Sequence, residues 1–262
     1  MARLGGMAKT GTAIVATLAM MAALAASVAA QGIYTSGATG YDISYPQCGG
    51  VYPTLAPGQF GIVGVTSGHA FRHNACFADE YGWASHTMAP APPASVYMNL
   101  NYAIGKTATG NTSGPVPCAK GDKACQAHNY GWNAAQDAYT YAQGQASGAV
   151  VAGTVWWLDI ETANSWSSTA SLNRADIQGA IDYLQKTHGL TVGIYSTAAM
   201  WRTITGSWDT STNGLDNTPG HTPLPAWDGV GGTTLCGNTG FTGGPVWLRQ
   251  STSNGYDVDT AC

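Results

Sequence analysis

Seven short runs of strand-forming residues, at 40–44, 60–66, 96–102, 155–161, 190–196, 224–227 and 246–251, recur along the chain with helical stretches between several of them. Strands that alternate with helices lie parallel, so this order points to an α/β fold with one parallel sheet. The clearest helix takes Ser171 as its N-cap, carries Ile177, Ile181 and Leu184 on one face and stops at Gly189. Shorter helices are expected at 132–143 and 198–204. The stretches 107–127 and 207–223 are rich in Gly, Ser, Thr, Asn and Pro and read as surface loops.

Residues 1–30 have the form of a secretory leader. Arg3 and Lys9 supply its positive start, an apolar alanine-rich segment follows, and Val28-Ala29-Ala30 suits cleavage before Gln31. An uncleaved membrane anchor is the alternative, because twenty apolar residues just span a bilayer. Residues 31–262 then form a single domain, since no repeat or linker divides them. Without Arg3 and Lys9, eight basic residues face fourteen acidic ones, a net charge of about minus six. With no basic cluster, nucleic acid is excluded as a partner, and no cofactor is expected. Only 9% of residues are charged, so hydroxyls and amides solvate the surface, as suits an extracellular or cell-wall protein without stable membrane association once the leader is gone.

All six cysteines, Cys48, Cys76, Cys118, Cys125, Cys236 and Cys262, follow the leader. An even number in an exported chain implies three disulfides. Of fifteen connectivities, the expected one joins Cys48 to Cys76, Cys118 to Cys125, and Cys236 to Cys262, pairing near neighbours and fastening the chain end. His69 and His73 have helical ligand spacing, but no third donor completes a metal site, so no metal is expected.

The run Val155-Trp156-Trp157-Leu158-Asp159-Ile160-Glu161 carries the chemistry. Two carboxylates two residues apart on a strand point to one face, and burying them is costly unless something pairs with them. Glycoside hydrolysis needs two carboxyl groups, one protonated to help the leaving oxygen depart and one ionised. Mutual repulsion and the neighbouring Trp157 raise one pKa, and Glu161, nearer the open end, is the expected acid. The structural alternative is a hydrogen-bonded pair that braces loops.

Tyr41-Asp42-Ile43-Ser44-Tyr45-Pro46-Gln47 supplies an aspartate at the end of the first strand, and Tyr256-Asp257-Val258-Asp259 supplies another at the end of the chain. With Asp159-Ile160-Glu161 and Gly193-Ile194-Tyr195-Ser196 between them, this order resembles the family 25 glycoside hydrolases, the Chalaropsis-type lysozymes. Val65-Thr66-Ser67-Gly68 looks like that family's second strand and turn, and Phe71 with Asn74 resembles the segment after it. The resemblance, which spans 40–259, implies a modified (β/α) TIM-like barrel that cleaves the β-1,4 bond between N-acetylmuramic acid and N-acetylglucosamine in peptidoglycan. It implies Glu161 as general acid, Asp159 as the group that orients or stabilises the substrate's 2-acetamido group, Asp42 and Asp259 as the acidic floor, and Tyr195 as a cleft wall. Three departures stand out. Ser67 occupies a position where the family usually has glutamate, Cys48 and Cys76 add a clamp, and Gln250 follows Arg249 where the family often shows Trp-Gln, with Trp247 displaced.

Of the tryptophans at 156, 157, 166, 201, 208, 227 and 247, Trp227 and Trp166 are the expected sugar contacts, with Gln250 and Asp228 as polar ones; Asp228 equally suits a turn cap. No Gly-x-Ser-x-Gly supports a serine hydrolase, and the cysteines read as disulfides rather than nucleophiles. The rival reading is a non-catalytic barrel that binds peptidoglycan or another 2-acetamido glycan, or builds a surface layer. Geometry separates the two. A hydrolase brings the carboxylates to one open cleft with Glu161 free of a cation, whereas Arg72, Arg202 or Arg249 filling that cleft favours a binder.

Overall fold

The computed structural model describes residues 1–2, 33–86, 93–102 and 114–262. Residues 3–30 of the expected leader and part of the 107–127 loop lie outside the described residues.

Eight strands close into a barrel in sequence order: β1 (Thr39–Ile43), β2 (Phe60–Gly64), β3 (Ser95–Asn99), β4 (Val155–Asp159), β5 (Thr191–Ser196), β6 (Ala226–Asp228), β7 (Val246–Ser253) and β8 (Tyr256–Ala261). β1 to β7 pair in parallel, whereas β8 runs antiparallel to both β7 and β1. The parallel sheet is therefore as expected, but the final strand is reversed. The two-residue turn Asn254-Gly255 causes the reversal: its φ values of 53° and 81° suit Asn and Gly and match the twist of a tight hairpin.

Four helices cover the outside: α1 (Phe77–Ser85), α2 (Lys123–Gln145), α3 (Ala170–Ile181) and α4 (Ala198–Thr205). α1 was not expected. α2 begins nine residues before its expected start, because Asp122 caps it by accepting from the Cys125 N–H at 3.0 Å. α3 starts two residues earlier than a Ser171 N-cap implies, with Thr169 in the N-cap position, and continues as a wider π turn over Asp182–Thr187 before Gly189 ends it at φ 65°. Only a single 3-10 turn, Tyr45–Gln47, separates β1 from β2, and no helix separates β6 from β7.

Period-two alternation divides each strand between two cores. Val63, Val96, Trp156 and Val192 face the helices, while Phe60, Ile62, Val155, Trp157, Trp227 and Leu248 fill the barrel. Tyr34 joins the inner core, its ring 4.7 Å from Phe60 and its hydroxyl bonded to Ser95. Trp157 fits only because β5 offers Gly193 opposite it; a Cβ there would stand 2.3 Å from the indole. Disulfides join Cys48 to Cys76, Cys118 to Cys125 and Cys236 to Cys262.

Candidate active site

The inward row of side chains at one end of the barrel is polar where the rows below it are aromatic. A cleft of about 250 Å³ opens there, lined by Asp42, Tyr97, Asp159, Glu161, Tyr195, Trp227, Val230, Gln250 and Asp257. Asp159 is the last residue of β4, and register sets it between Asn99 of β3 and Tyr195 of β5. Glu161 lies two residues past the strand, but the Ile160 N–H still donates to the Tyr195 carbonyl at 2.9 Å, so the backbone continues along β5. The Trp166 indole N–H donates to the Glu161 carbonyl at 2.7 Å and braces the same segment.

Asp159, at 5% exposure, and the half-buried Glu161 are neighbours whose charges interact. Like charges so close repel, so one proton shared by the pair is favoured. Burial raises Asp159 well above the ordinary carboxylate range, and the charges of Glu161 and Asp42 add to it. Burial raises Glu161 too; its neighbour Asp159 opposes that shift and the charge of Asp257 adds to it. Asn99 donates from its side-chain amide to Oδ2 of Asp159.

A second group stands across the cleft. The Tyr195 hydroxyl donates to Oε1 of Gln250 at 2.8 Å, and Gln250 Nε2 donates to Oδ2 of Asp42 at 2.8 Å. Burial, then the charge of Asp257, pushes Asp42 up to about 7. Among the described residues no Lys, Arg or His lines the cleft, so Arg72, Arg202 and Arg249 all stay out of it.

Reversal of β8 alters which acids reach the cleft. Asp257 stands opposite Asp42, whereas Asp259 stands opposite Gly40, one pleat deeper and fully buried. Asp257 therefore lines the opening and Asp259 lies beneath it, beside Asp42 and the Trp227 indole, raised by burial. The Asp-x-Asp alternation held the signal for Asp257, since residues two apart share a face.

Three further expectations need correction. Trp166 does not line the cleft; its indole serves the Glu161 backbone. Asp228 is buried, and its Oδ2 accepts from the Thr234 N–H at 2.8 Å, so it pins the loop after β6. Trp227 does line the floor, but only 1% of it is exposed and it packs edge-on against Tyr195 with centroids 4.7 Å apart, which leaves no open face for a sugar. His73 pairs with Asp137 at 2.8 Å. Ser67 donates its N–H to the Arg72 carbonyl at 3.0 Å.

A family model described as "Lysozyme-like protein 1" matches residues 124–216, a segment that holds Asp159, Glu161 and Tyr195. A bacterial lysozyme from Streptomyces coelicolor superposes with a TM-score of 0.51 at 17% identity, over 87% of this chain and 93% of that one. A family GH25 lysozyme from Aspergillus fumigatus gives 0.50 at 14% identity, over 86% and 93%. The fold is that of the family 25 lysozymes. A muramidase from Acremonium alcalophilum superposes with a TM-score of 0.51 at 16% identity, over 86% of this chain and 93% of that one. Comparison with curated protein sequences gives no match. On this barrel the carboxylates stand at the end where strands β1 to β7 finish.

Proposed function

We propose that the protein is a secreted N-acetylmuramidase that cleaves β-1,4 glycosidic bonds of peptidoglycan by carboxyl acid/base chemistry. The observation that carries this reading is the Asp159/Glu161 pair, two neighbouring carboxyls both raised by burial in an open cleft that no cation lines among the described residues. A salt-bridged structural pair would need a basic partner at that place. Glu161, the more accessible of the two, gives its proton to the departing glycosidic oxygen. Asp159, as the anion, accepts from the N–H of the substrate's 2-acetamido group and stabilises positive charge that develops beside it. Asp42 and Asp257 form the acidic wall opposite, and Tyr195 and Gln250 hold that wall in place through their hydrogen bonds. The leader at 1–30 would deliver residues 31–262 to the cell exterior or wall, a setting in which all three disulfides persist.

Release of reducing ends and loss of turbidity from purified peptidoglycan test this reading, with Glu161→Gln beside the unaltered protein. Activity that falls about a hundredfold or more in the variant is expected, within the range general acid catalysis contributes. A folded protein that releases nothing from several wall types, yet sediments with them, would overturn hydrolysis in favour of glycan binding.

A further inference from the structure

A shared proton leaves open which carboxyl holds it. Burial alone favours Asp159, the deeper of the two, because its charge is the harder to solvate. An acid at Glu161 needs the opposite arrangement, so something must hold Asp159 as the anion.

Two residues outside the cleft lining supply that. Thr66, two residues beyond β2, donates its hydroxyl to Oδ1 of Asn99 at 2.8 Å. The same hydroxyl oxygen accepts from the Asn99 backbone N–H at 2.9 Å. The backbone N–H can only donate, so Thr66 accepts there and its hydroxyl proton is directed to Oδ1. Reversing the amide would leave that proton without its acceptor and set Oδ1 against the Asp159 carboxylate, so the NH₂ faces Asp159. Hydrogen bonding to the charged form of a carboxyl favours that form.

We propose that Thr66 and Asn99 are positioning residues that assign the shared proton to Glu161 by holding Asp159 ionised. Among the described residues, no other side chain that faces the pair donates a hydrogen bond to it. Asp42 raises Asp159, Asp257 raises Glu161, and the buried phenols of Tyr97 and Tyr195 stay neutral. This role also explains why Thr66 and Asn99 are both buried though neither meets the cleft. The assignment deepens the muramidase reading and rests on Glu161 as its acid.

The chain's two glutamates, Glu80 and Glu161, make the proton's location directly readable. Carbon-13 labelling of glutamate carboxyls gives two titrating signals in the intact protein, which Glu161→Gln tells apart. Thr66→Val keeps volume and removes the hydroxyl; Asn99→Leu removes the donor. Both are expected to lower the Glu161 midpoint by about one pH unit, since a hydrogen bond to a charged group is worth roughly tenfold or more. Thr66→Ser should restore the original midpoint. Glu80, buried beside Asn74, reports that the fold is intact by keeping its own midpoint. A Glu161 midpoint that stays put in both variants while Glu80 is unmoved would overturn the assignment. No substrate enters this measurement, so it fails separately from wall cleavage.

Discussion

Asp42 on β1 and Asp257 on β8 are cross-strand partners at the cleft, brought together by an antiparallel pairing in an otherwise parallel barrel. Like charges so placed repel, and each makes the other harder to ionise. Burial sets most of the rise at Asp42, with Asp257 adding to it, and Asp257 also raises Glu161. Asp257→Asn should therefore lower the pKa of Glu161, and the alkaline limb of the pH–activity profile should move down by roughly half to one unit. A profile recorded from pH 3 to 9 checks this; an unmoved alkaline limb would separate Asp257 from the reacting group.

Stability should fall as pH rises from about 4 toward 8. Asp42, Asp159, Asp176, Asp259 and Glu80 all have pKa values raised by burial. A carboxyl raised in the folded state binds its proton more tightly there than in the unfolded chain. Its contribution is complete below the unfolded value near 4 and is lost as pH climbs through the folded value, about 7 for Asp42. Asp176 offers the cleanest test, because neither of its oxygens has a hydrogen-bond partner and it lies outside the cleft. Asp176→Asn should shrink the difference in Tm between pH 5 and pH 8, measured by calorimetry.

Removing the Cys48–Cys76 bond should cost stability through the unfolded chain. It closes a separation of 28 residues and ties the turn after β1 to the N-cap of α1. Loop-closure entropy for that length is about 3–4 kcal/mol. For a domain of this size the double change to Ala should lower Tm by roughly 10 °C, read by thermal melting under non-reducing conditions.

Trp166→Phe keeps an aromatic ring but loses the 2.7 Å bond to the Glu161 carbonyl. The expected stability cost is about 1 kcal/mol. Activity should fall more steeply, by about tenfold, because small misplacement of a reacting group is expensive in rate. Urea unfolding beside kcat measurement separates the two effects.

Legibility followed the range of the interaction. Asp159 and Glu161 could be read from one apolar run because the cost of burying a charge is local information. Strand and helix order was likewise readable from periodicity, and the cysteine spacing matched the bonds that form. α1 escaped notice since Phe77–Ser85 is short and interrupted by Gly82, and packing against β2 and α2 holds it helical. Asp228 and Trp166 have the composition of cleft residues, but their bonds to Thr234 and to the Glu161 backbone depend on loop paths that no periodicity encodes. Asn99 and Thr66 are 33 positions apart, and their partnership exists only through the β2–β3 register.

The hairpin at Asn254-Gly255 carries a consequence for how such barrels change roles. Side chains alternate along β8, so a turn one residue longer or shorter would rotate every position of that strand to its other face. Asp257 and Asp259 would leave the interior, and Tyr256 and Val258 would enter it. A single codon inserted or deleted at this turn would thus exchange a carboxyl-lined wall for an aromatic and aliphatic one, leaving Asp159 and Glu161 in place.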